Sequence, residues 1–130
     1  MPQIGSNTII TGEAGETITD KTYYCLTLEA DQQYDLADTE GEDVSGILMS
    51  GNTADGSIIE GNAIKVCVNG RCSVMAGAAF DAGVLLQSDD DGKAKLGETG
   101  DYCFGRALKT STGDKDIVPV WVFASPVMIN

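Results

Sequence analysis

Short apolar or alternating runs fill most of the chain, set apart by turns rich in glycine, aspartate and asparagine at spacings of about 8–12 residues. No stretch holds the 3.6-residue period of an amphipathic helix. The runs predict strands over residues 21–28 (KTYYCLTL, with Tyr24, Leu26 and Leu28 on one face), 33–36, 44–49, 84–87, 93–96 and 102–109, with a shorter apolar piece at 57–60. Residues 76–83, AGAAFDAG, carry too much glycine for a stable helix. Such a series predicts an all-β domain, a small barrel or sandwich of short antiparallel strands.

The strongest local signal is at residues 63–75, AIKVCVNGRCSVM, where two runs rich in β-branched residues flank Asn69-Gly70. It predicts a hairpin in one of two registers. A two-residue turn sets Cys67 opposite Cys72 and mixes Lys65 with Val74 on one face. A three-residue loop, Val68-Asn69-Gly70 with Gly70 left-handed, pairs Ile64 with Val74 and Val66 with Cys72, and gathers Lys65, Cys67, Arg71 and Ser73 on the other face. A one-residue slip sends every side chain to the opposite face, so the register that separates apolar from polar positions is the one expected. Cys67 and Cys72 then point apart, and no disulfide joins them.

Residues 1–16, MPQIGSNTIITGEAGE, sustain neither period and are expected to form an extended N-terminal arm ahead of a single β domain over 17–130. Pro2, Ile4, Ile9 and Ile10 thereby lack a core position of their own. Toward the other end, residues 117–123 (IVPVWVF) are apolar on both faces, and Pro119, which cannot donate to a ladder, predicts an edge strand or a break. Val127, Met128 and Ile129 continue this apolar end, an edge open to unwanted pairing unless a neighbour covers it.

At 130 residues the chain is long enough for one core without metal or disulfide staples. No apolar run approaches the ~20 residues of a membrane helix. Residues 1–10 show no basic stretch leading into an apolar one, so a product made and used without export is expected. Cys25, Cys67, Cys72 and Cys103 are accordingly expected as buried, reduced thiols, with no disulfide. A net charge of −12, with eight basic residues that form no stripe, argues against nucleic acid and anionic membrane as partners.

The chain has no histidine, no nucleophile elbow, no phosphate loop and no dinucleotide fingerprint. Asp38, Glu40, Glu42 and Asp43 stand close together, but nothing apolar around them raises a carboxyl pKa, so they read as a solvated loop and no enzymatic activity is expected. Residues 88–92, SDDDG, place their acids consecutively rather than at the alternate positions of a calcium loop. The C-x4-C pair lacks the spacing of a zinc ribbon. Neither metal nor cofactor is expected.

Residues 44–122 carry an ordered series: VSGILMSG, then IIEGNAIKVCVNGRCSVMAGAAFDAGVLLQSDDDGKAKL, then GRALKTSTGDKDIVPVWV. Within it Ala76-Gly77, Asp81-Ala82-Gly83, Val84-Leu85, Asp91-Gly92 and Gly105-Arg106-Ala107-Leu108 follow one another. The series resembles the tailed-bacteriophage capsid decoration (cement) proteins. The four cysteines, the three consecutive aspartates and the N-terminal third stand outside the pattern. The resemblance implies a non-enzymatic structural protein, a homotrimer bound to the major capsid protein on the outer surface of an assembled head, and made in the bacterial host cytoplasm. Under it Pro2, Ile4, Ile9 and Ile10 are expected capsid contacts, and Val127, Met128 and Ile129 expected contacts between subunits. A rival reading is a carbohydrate- or ligand-binding β-module of a virion, at a head-fibre base or in an adhesion module. A third is a hydrolase working with Asp38 or Glu40.

Overall fold

A computed structural model describes residues 7–50 and 57–129. Among them the chain is all-β, as its pattern predicts. The strands are β1 (Asn7–Glu13), β2 (Ile18–Thr19), β3 (Cys25–Leu28), β4 (Tyr34–Leu36), β5 (Gly46–Ser50), β6 (Ser57–Ile58), β7 (Ala63–Met75), β8 (Leu85–Ser88), β9 (Ala94–Leu96), β10 (Tyr102–Ala107) and β11 (Ile117–Met128). Nine of them build one curled antiparallel sheet in the order β4-β3-β5-β7-β11-β10-β8-β9, with β1 also on β7; β2 and β6 pair separately.

The expected hairpin at Asn69-Gly70 does not form. Residues 63–75 run as a single strand, because each half finds a long partner elsewhere. β1 lies along the first part, from Glu13 opposite Ala63 to Asn7 opposite Gly70, and β11 along the second, from Val122 opposite Gly70 to Ile117 opposite Met75. Tertiary pairing of this extent overrides a local turn preference. Gly70 keeps the left-handed backbone that the turn reading gave it, with φ 93°, but uses it inside the strand. The register also slips opposite Thr8 and Ile9. A regular strand sets positions five apart on opposite faces; this irregularity brings Cys67 and Cys72 into the same core, correcting the expectation that they point apart. All four cysteines are buried and free.

Two other expectations change. From Asn7 onward the N-terminal arm is a strand of the sheet, and Ala14 goes on to bridge Tyr34 in parallel along β4. Pro119 marks neither an edge nor a break: β11 is flanked by β7 and β10, and the Pro119 carbonyl accepts from Leu108 N–H (3.0 Å) just where β10 ends. A donor is missing only where no ladder remains to use it.

The two halves of the chain repeat one design. In the first, β1 pairs with the start of β7; in the second, the end of β7 pairs with β11. Ala14 N–H donates to the Asn62 carbonyl and the Ala14 carbonyl accepts from Gly61 (2.9 and 2.8 Å); Ala76 does the same with Asp116 and Lys115 (2.8 and 2.7 Å). Leu26 on β3 opposes Leu36 and Gly46, as Leu86 on β8 opposes Leu96 and Gly105. Left-handed residues also come in matched pairs: Tyr23 with Gly83, Gln32 with Gly92, Gly41 with Gly100, Gly61 with Lys115. β7 belongs to both halves and joins them.

The larger core lies between the halves and takes Cys25, Ile47 and Cys67 from the first, and Leu86, Phe104, Val118 and Val120 from the second. The smaller fills the first half with Leu26, Leu48, Val66 and Tyr34, beneath Ile18 and Ile58 of the β2–β6 pair. The halves are stitched together by backbone bonds from Cys25 N–H to Gly92, from Gly41 N–H to Ser88, and from Met75 N–H to Tyr23 (2.7, 2.9 and 2.9 Å).

Candidate docking surfaces

Of the carboxylates named for a hydrolase, Asp38 Oδ1 accepts from the Thr39 hydroxyl (3.1 Å) and sits in a loop that Glu42 closes. One Glu42 oxygen accepts from Asp38 N–H (2.8 Å) and Thr39 N–H (2.7 Å), which folds the loop on itself. Glu40 faces away to Lys95 (3.2 Å), which also binds Glu98 (2.8 Å). The hydrogen bond that Lys95 donates to Glu98 is the main cause that raises the Lys95 pKa, and the same bond lowers that of Glu98. In the β8–β9 turn, Asp89 Oδ1 accepts from Asp91 N–H (2.8 Å) and Lys93 N–H (2.9 Å), so the first aspartate of the run closes the turn while Asp90 and Asp91 are exposed. Asp35 is the one carboxyl among the described residues pushed upward, by desolvation first and then by Glu16, Glu29, Asp31 and Asp38; its Oδ1 is buried without a hydrogen-bond partner. It packs beside Gly15.

Apart from Leu28, Ile59, Leu96 and Leu108, the large apolar residues that lie in the open fall in three places. On β1, Ile9 and Ile10 are exposed, Ile9 by 44%. Among the described residues β1 pairs with β7 alone, so its other edge is open to an added strand. At the far end of β11, Val127 and Met128 are exposed and stand opposite Cys103 and Tyr102; half-buried Ile129 donates to the Asp101 carbonyl (3.2 Å). The sequence-predicted contact residues thus form two separate groups. Pro2 and Ile4 lie outside the described residues.

The third place was not legible in the sequence. Trp121 on β11 stands between Arg71 on β7 and Arg106 on β10, and Arg106 in turn opposes Leu85 on β8. Directly opposed residues share a face, so the four side chains form one row. Trp121 is 42% exposed, both arginines are exposed, and Ile117 lies open further along the strand. These are the only tryptophan and the only two arginines in a chain of net charge −12. Arg106 donates to the Gly83 carbonyl (2.7 Å), and neither guanidinium has an ion pair among the described residues. Composition alone hinted at this, but only the pairing of three strands assembles it.

A shallow groove of about 620 Å³, bordered by Phe80, Asp81, Val84, Leu96 and Thr110, opens at the edge of the second half. Its rim mixes apolar side chains with the hydroxyl residues Thr110, Ser111 and Thr112 and one carboxylate, Asp81.

No family model matches the chain, and no curated protein does. Among solved structures it is similar to the head fibre gp8.5 N base of bacteriophage phi29, with a TM-score of 0.60 and 17% sequence identity over 94% of this chain and 98% of that one. At that identity the likeness is one of fold.

Proposed function

We propose that this chain is a structural protein of a tailed-phage virion, a decoration subunit that binds the major capsid protein on the outer surface of the assembled head and stabilises the shell as a homotrimer. The observation that carries the reading is the shared fold, over nearly the whole length of both chains, with the base of a phage head fibre. The sequence series at residues 44–122 points to the same class independently. The surface suits it: acidic, so that it is repelled by packaged nucleic acid, and marked by exposed apolar groups on β1 and at the end of β11 that a protein neighbour can cover. The open edge of β1, with Ile9 and Ile10, is the proposed shell contact, since an edge strand can accept a strand from a partner. Val127, Met128 and Ile129, with Tyr102, are proposed to meet other subunits.

The fibre-base likeness itself favours a second form of the reading, in which the domain seats a longer head appendage instead of acting as a plain cement. Co-sedimentation of the purified chain with heads that lack it tests both forms. Saturable binding is expected; a chain that stays in the supernatant but binds glycans on an array contradicts them.

A further inference from the structure

The internal repeat sets the Arg71–Trp121–Arg106–Leu85 row beside a buried equivalent. Its counterpart in the first half is Ile9–Cys67–Ile47–Cys25, built by the same pairings: β1 with β7, β7 with β5, β5 with β3. There Cys67, Ile47 and Cys25 are wholly buried, because the second half of the chain packs over them. Leu86, Phe104, Val118 and Val120 share their core, and at the Cys25 end the β8–β9 turn joins the cover, its Gly92 carbonyl accepting from Cys25 N–H (2.7 Å). The counterpart of that turn in the first half is the β3–β4 turn, residues 29–33. It carries Gln32 where the other carries Gly92, both left-handed.

This second turn touches the end of β1, where Gln33 Nε2 donates to Glu13 Oε1, and among the described residues it carries no backbone bond to the other half of the chain. It carries two carboxylates, Glu29 and Asp31, and beside it Leu28 is 50% exposed. The row left bare in the second half therefore offers an aromatic ring between two cations, and the β3–β4 turn in the first half offers an apolar side chain next to two anions.

We propose that the β3–β4 turn of one copy docks on the Arg71–Trp121–Arg106 row of the next, repeating between copies the packing that joins the two halves within one. The contact places Leu28 against Trp121, Glu29 and Asp31 toward Arg71 and Arg106, and Gln32 near Leu85. It is heterologous, so successive copies close into a ring when the rotation permits. It accounts for where the arginines lie. An acidic chain repels its own copies, and the pairing of opposite charges at one patch fixes which surfaces meet. The inference deepens the multi-copy assembly proposed above and is tested without heads, so that it and head binding fail separately.

The experiment is sedimentation velocity on the full chain across a concentration series at low and high salt. The wild-type chain is expected to self-associate, more weakly at high salt. Arg71→Glu with Arg106→Glu, Glu29→Lys with Asp31→Lys, and Trp121→Ala are each expected to weaken association at least about tenfold, a change of 1.4 kcal/mol. Combining the two charge reversals in one chain is expected to restore it, because the opposed signs are exchanged and the pairing kept. Thermal melts of each variant check that the fold is intact. A wild-type chain that is monomeric throughout overturns the proposal, as does an oligomer indifferent to the arginine reversal or a combined variant that fails to recover. An arginine variant that still self-associates yet no longer binds heads assigns the row to the shell and also overturns it.

Discussion

Gly46 and Gly105 hold the same place in the two halves of the chain. Each opposes a buried leucine, Leu26 or Leu86, and each lies against the carbonyl of its neighbouring strand: a Cβ on Gly46 meets the Cys67 oxygen at 2.8 Å, and one on Gly105 meets the Trp121 oxygen at 2.5 Å. Neither backbone oxygen can swing aside as a side chain does. Gly46→Ala and Gly105→Ala are therefore both expected to destabilise the chain, by about 1–3 kcal/mol each in chemical denaturation. A neutral effect at one site and not the other breaks the equivalence of the halves.

Asp35 gives a pH signature. Burial and the surrounding carboxylates hold its folded pKa above the unfolded one. Below the unfolded pKa the group is protonated in both states and adds nothing. As pH rises past that value the unfolded chain releases its proton more readily, so the folded state loses ground, fully so above the folded pKa. Asp35→Asn is expected to raise the melting temperature at pH 7 and to leave it nearly unchanged at pH 2–3, read by melts across that range. An equal gain at both ends attributes the effect to packing instead.

Phe104 and Trp121 separate core from surface. Phe104 is buried in the core between the halves. Phe104→Ala is expected to cost about 3–5 kcal/mol of folding stability, set by the lost contacts and the cavity left behind. Trp121→Ala, on the outer face, is expected to change it by less than about 1 kcal/mol. Urea titration of both variants decides this, and a large loss at Trp121 shows that the ring is needed by the fold itself.

The all-β class and most of the short strands were legible because alternation and turn residues are local properties. β4, β8 and β9 fall within a residue or two of where the pattern sets them. The long strand β7 was not legible, since what straightens Asn69-Gly70 is the simultaneous presence of β1 and β11, which lie far away in sequence. The repeat was hidden for a related reason. Three of its four matched left-handed positions hold glycine in one half and Tyr23, Gln32 or Lys115 in the other, so the backbone recurs without the residue that announces it. Of the candidate contacts, Ile9, Ile10, Val127 and Met128 were found as apolar residues without a core position. The Trp121 row needed the strand register, because Arg71 and Arg106 are distant in sequence and meet the ring only across two ladders.

Ile9 and Ile10 offer a test of the shell contact that spares the fold. Deleting residues 2–10 removes part of β1, so a lowered melting temperature is expected and binding loss becomes ambiguous. Ile9→Lys with Ile10→Lys keeps the backbone pairing to β7 and changes only exposed side chains. Stability within about 0.5 kcal/mol of wild type is expected, together with loss of co-sedimentation with heads. Full binding by the double variant removes β1 from the contact.

The virion reading is tested most directly by cryo-electron microscopy of heads that lack this chain, imaged before and after saturation with the purified protein. A decoration subunit adds density of its own size at repeated sites on the outer surface of the shell. Heads that look the same in both maps, with the chain recovered unbound, contradict a structural role on the head.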